Sequence, residues 1–132
     1  VQVTSVLKNI FNINNQEIRI MSISTSKIDS VFIVKPGDRL DTNTSPEAEK
    51  LIVDAIDSDE CKVVVDFSET EYISSAGLRV ILKTAKLLKP KNGAVALCNA
   101  NDQIEEVLEI SGFLGMIRLL DSLDEAVAAV DV

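Results

Sequence analysis

Apolar positions along the chain change period from element to element, and the changes mark out an alternating architecture. In the first sixteen residues Val3, Val6, Leu7, Ile10 and Phe11 recur at i, i+3, i+4, i+7 and i+8, one face of a helix. That run dies in Asn12, Asn14 and Asn15, a boundary signal. Residues 1–16 are therefore expected to be a helical extension or linker, and residues 17–132 a domain. Glu17 to Thr25 alternates through Ile18 and Ile20 and then slips to Ile23, predicting a strand with a bulge. Lys27 to Asp29 would turn it into a second strand, Val31–Val34, and Pro36-Gly37-Asp38 breaks that run. Ser45 as N-cap with Pro46 in the first turn opens a helix whose buried stripe is Leu51, Ile52, Ala55 and Ile56.

Lys62 to Phe67 is a continuous apolar run, the kind covered on both faces in a parallel sheet. Ser75 to Leu88 predicts a helix that buries Leu78, Ile81, Leu82, Ala85 and Leu88 and turns Arg79, Lys83 and Lys86 to water. Pro90 and Gly93 end it. Ala94–Cys98 is the next strand, Asp102–Ile110 a short helix stopped by Gly112, and Met116–Leu120 a weak edge strand. Ser122-Leu123-Asp124-Glu125 is a capping box for a last helix with Leu123, Ala126, Val127 and Val130 inward. The order predicts an α/β domain: a mixed sheet of about five strands, an N-terminal hairpin followed by parallel strands, with about four helices. In such a sheet the loops at Gly37–Asn43, Ser68–Ser75 and Asn99–Asn101 emerge at one carboxyl edge, the usual place for function. Asp41 and Ser75 are expected to be neighbours there.

Length and composition fit one domain with a single core. A net charge of −8 with no basic stripe argues against nucleic acid as a partner. The absence of histidine removes a Ser-His-Asp triad and any histidine metal ligand. No apolar run reaches the roughly 20 residues of a bilayer span, and no secretory leader is visible, so no membrane insertion is expected. Val1 is not an initiator methionine, which leaves room for a longer parent protein. Cys61 and Cys98 fall at opposite ends of two predicted parallel strands, about 13–17 Å apart at ~3.3 Å per residue, beyond disulfide reach. Reduced, buried thiols in a cytoplasmic protein are the expectation.

The chemistry concentrates where Val63-Val64-Val65-Asp66-Phe67-Ser68 is followed by Ser74-Ser75-Ala76-Gly77-Leu78. Two hydroxyls stand at the positive end of a helix dipole, where backbone amides favour an anion. The plain alternative is that Ser74 or Ser75 caps the helix, worth on the order of 1 kcal/mol. Asp66 reads as a turn-former, Asp41 as the start of an Asx turn, Gly77 as a packing residue, and Arg79 and Lys83 as a solvated face. A hydrolase using Ser75 lacks a suitable base, a G-x-S-x-G elbow and metal ligands, so no enzyme and no cofactor are expected.

At these residues the chain resembles the STAS family, the anti-sigma factor antagonists of bacterial partner-switching systems. The likeness runs from about Glu17 to the C-terminus. It rests on Val65-Asp66-Phe67-Ser68, on Tyr72-Ile73-Ser74-Ser75-Ala76-Gly77-Leu78, and on Gly37-Asp38-Arg39-Leu40-Asp41, which is similar to the family's G-x-L-D loop with one extra residue. Ser111-Gly112-Phe113 and Asp121-Ser122-Leu123-Asp124-Glu125-Ala126 add to it. The resemblance implies that Ser75, two residues before the glycine, is the phosphorylated serine. Ser74 stands where the family often has Asp, which makes it the second choice. Asp41 matches a loop aspartate that contacts the partner, and the implied docking edge comprises Asp41, Thr42, Asn43, Ser74, Ser75, Gly77, Leu78 and Arg79. The implied partners are an anti-sigma factor with ATP-dependent serine kinase activity, bound before phosphorylation and released after it, and a serine phosphatase that resets the switch. Two alternatives remain open at this point. One is a constitutive regulatory or scaffold domain of a larger transporter or sensor. The other is a nucleotide- or small-ligand-binding module on the same edge, which saturable ATP or GTP binding would reveal.

Overall fold

A computed structural model describes residues 23–131. The expected extension at 1–16 and the first part of the expected strand at 17–25 lie outside the described residues. The elements are β1 (Ser24–Ile28), β2 (Val31–Lys35), β3 (Arg39–Leu40), α1 (Ser45–Asp57), β4 (Lys62–Asp66), β5 (Tyr72–Ile73), α2 (Ser75–Leu88), β6 (Ala94–Cys98), α3 (Asp102–Ile110), β7 (Arg118–Leu120) and α4 (Leu123–Val130). The main sheet has the order β1-β2-β4-β6-β7, antiparallel at β1–β2 and parallel elsewhere. Among the described residues, a main sheet of five strands and four helices in this order agree with the sequence pattern.

Alternation along β4 explains its unbroken apolar run. Val64 packs with Val31, Ile33, Ala96 and Cys98 beneath Ala126 and Val130 of α4. Val63 faces the other way, with Val34, against Ile52 and Ile56 of α1 and Val80 and Leu88 of α2. Val65 joins Leu97, Ile81, Ile104 and Leu108 on that same side. Both faces are thus covered by helices, which is why Val63, Val64 and Val65 are all apolar between Lys62 at the start of the strand and Asp66 at its end.

Several boundaries differ from expectation. β1 runs through Lys27 and Ile28, and the turn contracts to Asp29 and Ser30, with Asp29 at φ +54°. Ser45 does not cap α1. Thr44 holds the cap position without a side-chain cap bond, and Ser45 lies inside the helix with its hydroxyl buried and without a hydrogen-bond partner among the described residues. The buried stripe of α1 is Ala48, Ile52 and Ile56, with Leu51 and Ala55 only half-buried. In α2, Gly77, Val80 and Thr84 join Ile81 and Leu88 in the interior, while Leu78, Leu82 and Ala85 are half-buried. β7 begins at Arg118, two residues later than expected. The capping box is present: the Glu125 amide donates to Ser122 Oγ at 3.2 Å. Among the described residues no helix is long and apolar enough to cross a membrane.

Candidate functional site

A feature absent from the sequence pattern organises the site. β3 and β5 pair in parallel as a separate two-stranded ribbon, Arg39 opposite Tyr72 and Leu40 opposite Ile73. Around it the Glu71 amide donates to the Asp38 carbonyl at 2.8 Å and the Ser74 amide to the Leu40 carbonyl at 3.0 Å. Thr70 Oγ1, buried, donates to the Gly37 carbonyl at 2.6 Å, and Asn101 Nδ2 donates to the Glu71 carbonyl at 3.3 Å. These bonds tie the loops after β2, β4 and β6 into one edge. Asp41 and Ser75 each stand one residue beyond the pair joined by the Leu40–Ser74 bond.

The two serines divide the roles that the sequence left open. Ser74 is extended (φ −105°, ψ 178°), half-buried, and its Oγ accepts from the Ala76 amide at 3.2 Å, which satisfies one of the free donors of the first turn. Ser75 is the first residue of α2, is exposed, and makes no side-chain hydrogen bond among the described residues. Among the described residues its hydroxyl caps nothing and bonds nothing. Gly77 does not belong to the exposed edge on which the sequence placed it. It is buried, and a Cβ there would meet the Leu40 carbonyl oxygen at 2.7 Å and Ile73 Cγ1 at 2.8 Å. The glycine lets α2 sit directly on the β3–β5 ribbon. Leu78 is half-buried against the core, while Thr42, Asn43 and Arg79 are exposed.

Asp41 is held by local structure. Its carboxylate accepts from Arg39 Nε at 2.9 Å and from the amides of Asn43 and Thr44 at 3.0 and 3.2 Å, an Asx turn that leads into α1. The Arg39 guanidinium first, and the two amides after it, hold the Asp41 carboxyl below the usual carboxylate range against an opposing effect of burial. The ionised form therefore favours the folded state. That contribution is present above the unfolded value of ~3.9 and is lost as pH falls through the lowered folded value. Asp41→Asn is expected to be less stable than the parent at pH 6, with the gap closing on acidification below about pH 4. Urea denaturation across that range measures it, and a gap independent of pH refutes it.

Arg39 and Tyr72 are the residues that sequence reasoning missed. The Arg39 guanidinium lies 4.5 Å from the centroid of the Tyr72 ring, and Tyr72 is 40% exposed. Arginine and tyrosine are enriched at the energetic centres of protein interfaces. The signal was the alternation Arg39-Leu40-Asp41, which points Arg39 and Asp41 to the same side of an extended segment.

Behind the edge, Asp66 is buried and accepts from the Ser68 amide at 2.9 Å and from Asn99 Nδ2 at 3.0 Å. It fastens two loops and is not positioned as an exposed base. Cys98 is buried beside it, and burial first, then the Asp66 carboxylate, push its thiol up to about 12. Cys61 and Cys98 are both free thiols, at opposite ends of adjacent strands. Among the described residues no cluster of His, Cys, Asp or Glu is placed to hold a metal ion.

An exposed serine opening a helix, set on an α/β sheet with an N-terminal hairpin, is the arrangement of a known class. The STAS domain model matches residues 22–126, and the chain belongs to the STAS domain family. BtrV of Bordetella bronchiseptica, named provisionally as an anti-sigma factor antagonist, is 36% identical over 109 residues, covering 83% of this chain and 94% of BtrV. A crystal structure from Thermotoga maritima, described in the same provisional terms, superposes with a TM-score of 0.79 at 23% identity, covering 86% of this chain and 98% of that one. The Bacillus protein SpoIIAA, an anti-sigma factor antagonist solved in unphosphorylated and phosphorylated forms, shares the fold with a TM-score of 0.67 in each form. Its identity to this chain is 15% and 17% in the two comparisons, covering 82% of this chain and 96% and 98% of the other.

Proposed function

We propose that this protein is an anti-sigma factor antagonist that works by partner switching, a regulatory binding protein in the cytoplasm and not an enzyme. Unmodified, the edge around Asp41, Thr42, Asn43, Ser74, Ser75, Leu78 and Arg79 binds an anti-sigma factor that carries serine kinase activity, which frees a sigma factor. The kinase then transfers the γ-phosphoryl group of ATP to Ser75 Oγ. The Oγ–H proton leaves, the new P–O bond forms, and ADP departs. The modified protein is released, and a phosphatase returns it to serine and inorganic phosphate by hydrolysis.

The observation that carries this reading is the division between the serines: Ser74 closes the helix while Ser75 stays exposed and, among the described residues, makes no side-chain hydrogen bond. A phosphate on Ser75 adds about −1.5 to −2 charge at neutral pH without breaking any bond the fold uses. Amides of the first turn of α2 favour that charge locally, so the domain need not refold. The 36% identity to BtrV over most of both chains supports the antagonist role, and SpoIIAA, solved in unphosphorylated and phosphorylated forms, is a precedent for a phosphorylated protein of this fold.

Incubation with labelled ATP and the cognate anti-sigma factor kinase is expected to label the peptide containing Ser74 and Ser75. Ser74→Ala should keep the label and Ser75→Ala should lose it, as read by mass spectrometry. Label on Ser74 alone refutes the assignment.

A further inference from the structure

Charge is sorted by helix in this protein. α2 carries Arg79, Lys83 and Lys86 and no acidic residue, whereas α3 and α4 carry acidic residues and no cation. α1 carries Glu47, Glu49, Asp54 and Asp57 against Lys50 alone. In a chain of net charge −8, α2 is a local reversal of sign.

Its three cations follow at spacings of four and three residues, on one helix face and over about 10 Å of axis. They rim a groove of about 610 Å³ between α1 and α2. Val80, Leu82 and Ala76 give that groove an apolar lining. Lys83 Nζ meets Glu49 Oε2 across it at 2.8 Å, but both side chains are about half exposed, and such pairs contribute little. Arg79 and Lys86 have no ion-pair partner among the described residues. Ser45, whose buried hydroxyl has no hydrogen-bond partner there, lines the same groove.

We propose that this groove seats an acidic amphipathic helix of the partner protein, its apolar stripe on Leu82 and Ala76 and its carboxylates on Arg79 and Lys86. A helix laid in a groove is a common mode of recognition, and charge complementarity selects its sign. The first 22 residues of this chain, with Lys8 and Arg19 against Glu17, have the wrong sign to fill it. The inference rests on partner docking at the start of α2, and it adds a link to the switch. Ser75 and Arg79 are an i, i+4 pair, so a negative charge on Ser75 competes for Arg79.

The test titrates the isotope-labelled full chain with a synthetic helical peptide bearing Leu on one face and Glu on the other. Its companions are a Lys-for-Glu peptide and anionic phosphatidylserine vesicles. NMR shift changes are expected at Arg79, Val80, Lys83 and Lys86 with the Glu peptide only, weakening as salt rises. Arg79→Glu combined with Lys86→Glu should reduce affinity by roughly tenfold or more, and Lys89→Glu, outside the groove, should not. Binding unchanged by the double variant overturns the proposal, as does preference for the Lys peptide or the vesicles. Ser75→Glu separates the two readings. If the double variant abolishes binding and Ser75→Glu does not alter it, the groove stands and its link to the switch falls. If only Ser75→Glu alters it, the groove falls.

Discussion

Ser75→Glu is expected to weaken binding to the anti-sigma factor kinase by roughly 30-fold or more, and full phosphorylation by up to several-thousand-fold, with Ser75→Ala within about threefold of the parent. The range follows from the 2–5 kcal/mol lost when one charge is buried at an interface without a partner, at 1.4 kcal/mol per factor of ten. The magnitude should be large here because Glu69 and Glu71 belong to the same edge, the Arg39 cation is already engaged by Asp41, and the new charge would draw Arg79, four residues on, away from the partner. Neither substitution removes a bond that the fold uses, since Ser75 is exposed and its neighbour does the capping. Their unfolding midpoints in urea should therefore stay close to the parent's, which separates a docking effect from a folding one. Equal affinity of the two variants in surface plasmon resonance would show that charge at this hydroxyl controls nothing.

The second large effect is on stability. Gly77→Ala is expected to destabilise the protein by about 1–3 kcal/mol, although alanine is preferred over glycine by ~1 kcal/mol in a helix interior. Packing wins because the added methyl would approach the Leu40 carbonyl oxygen at 2.7 Å, and that oxygen is fixed by the Ser74 amide. A backbone atom in that position has no rotamer by which to yield. Gly115→Ala is the control: nothing lies within 4 Å of its Cβ direction, and its φ is not in the left-handed region. Urea denaturation with an unchanged m value measures both. A neutral or stabilising Gly77→Ala would mean that α2 can lift off the β3–β5 ribbon at little cost.

The elements with clear end signals were the most legible. α2, α3 and β6 begin and end where periodicity and end signals put them, α2 and α3 between a polar opener and a Pro or Gly stop, and β6 between Gly93 and Asn99. β3 and β5 were invisible because a two-residue strand contains no period, and its partner lies more than thirty residues away. The choice between Ser74 and Ser75 as cap was likewise undecidable from adjacent serines, because capping depends on φ and ψ, which only the approach of the chain from β5 sets. Ser45 misled for a related reason: a serine before proline fits the cap position, but Thr44, tied back to the Arg39 carbonyl at 2.8 Å, already turns the chain. Gly77 was legible as a packing residue and not as one hidden from the surface. Arg39 and Tyr72 became a pair only when the ribbon brought them together.

That ribbon has a kinetic consequence. Because backbone bonds lock the aspartate-bearing turn to the head of α2, a visiting protein meets a surface that is already set, with little ordering left to do on arrival. Encounter rates for such preformed faces vary little between related complexes, and differences in strength reside in how slowly the pair comes apart. Modification would thus be felt chiefly as a shortened lifetime of the assembly, a timer acting on departure more than on arrival.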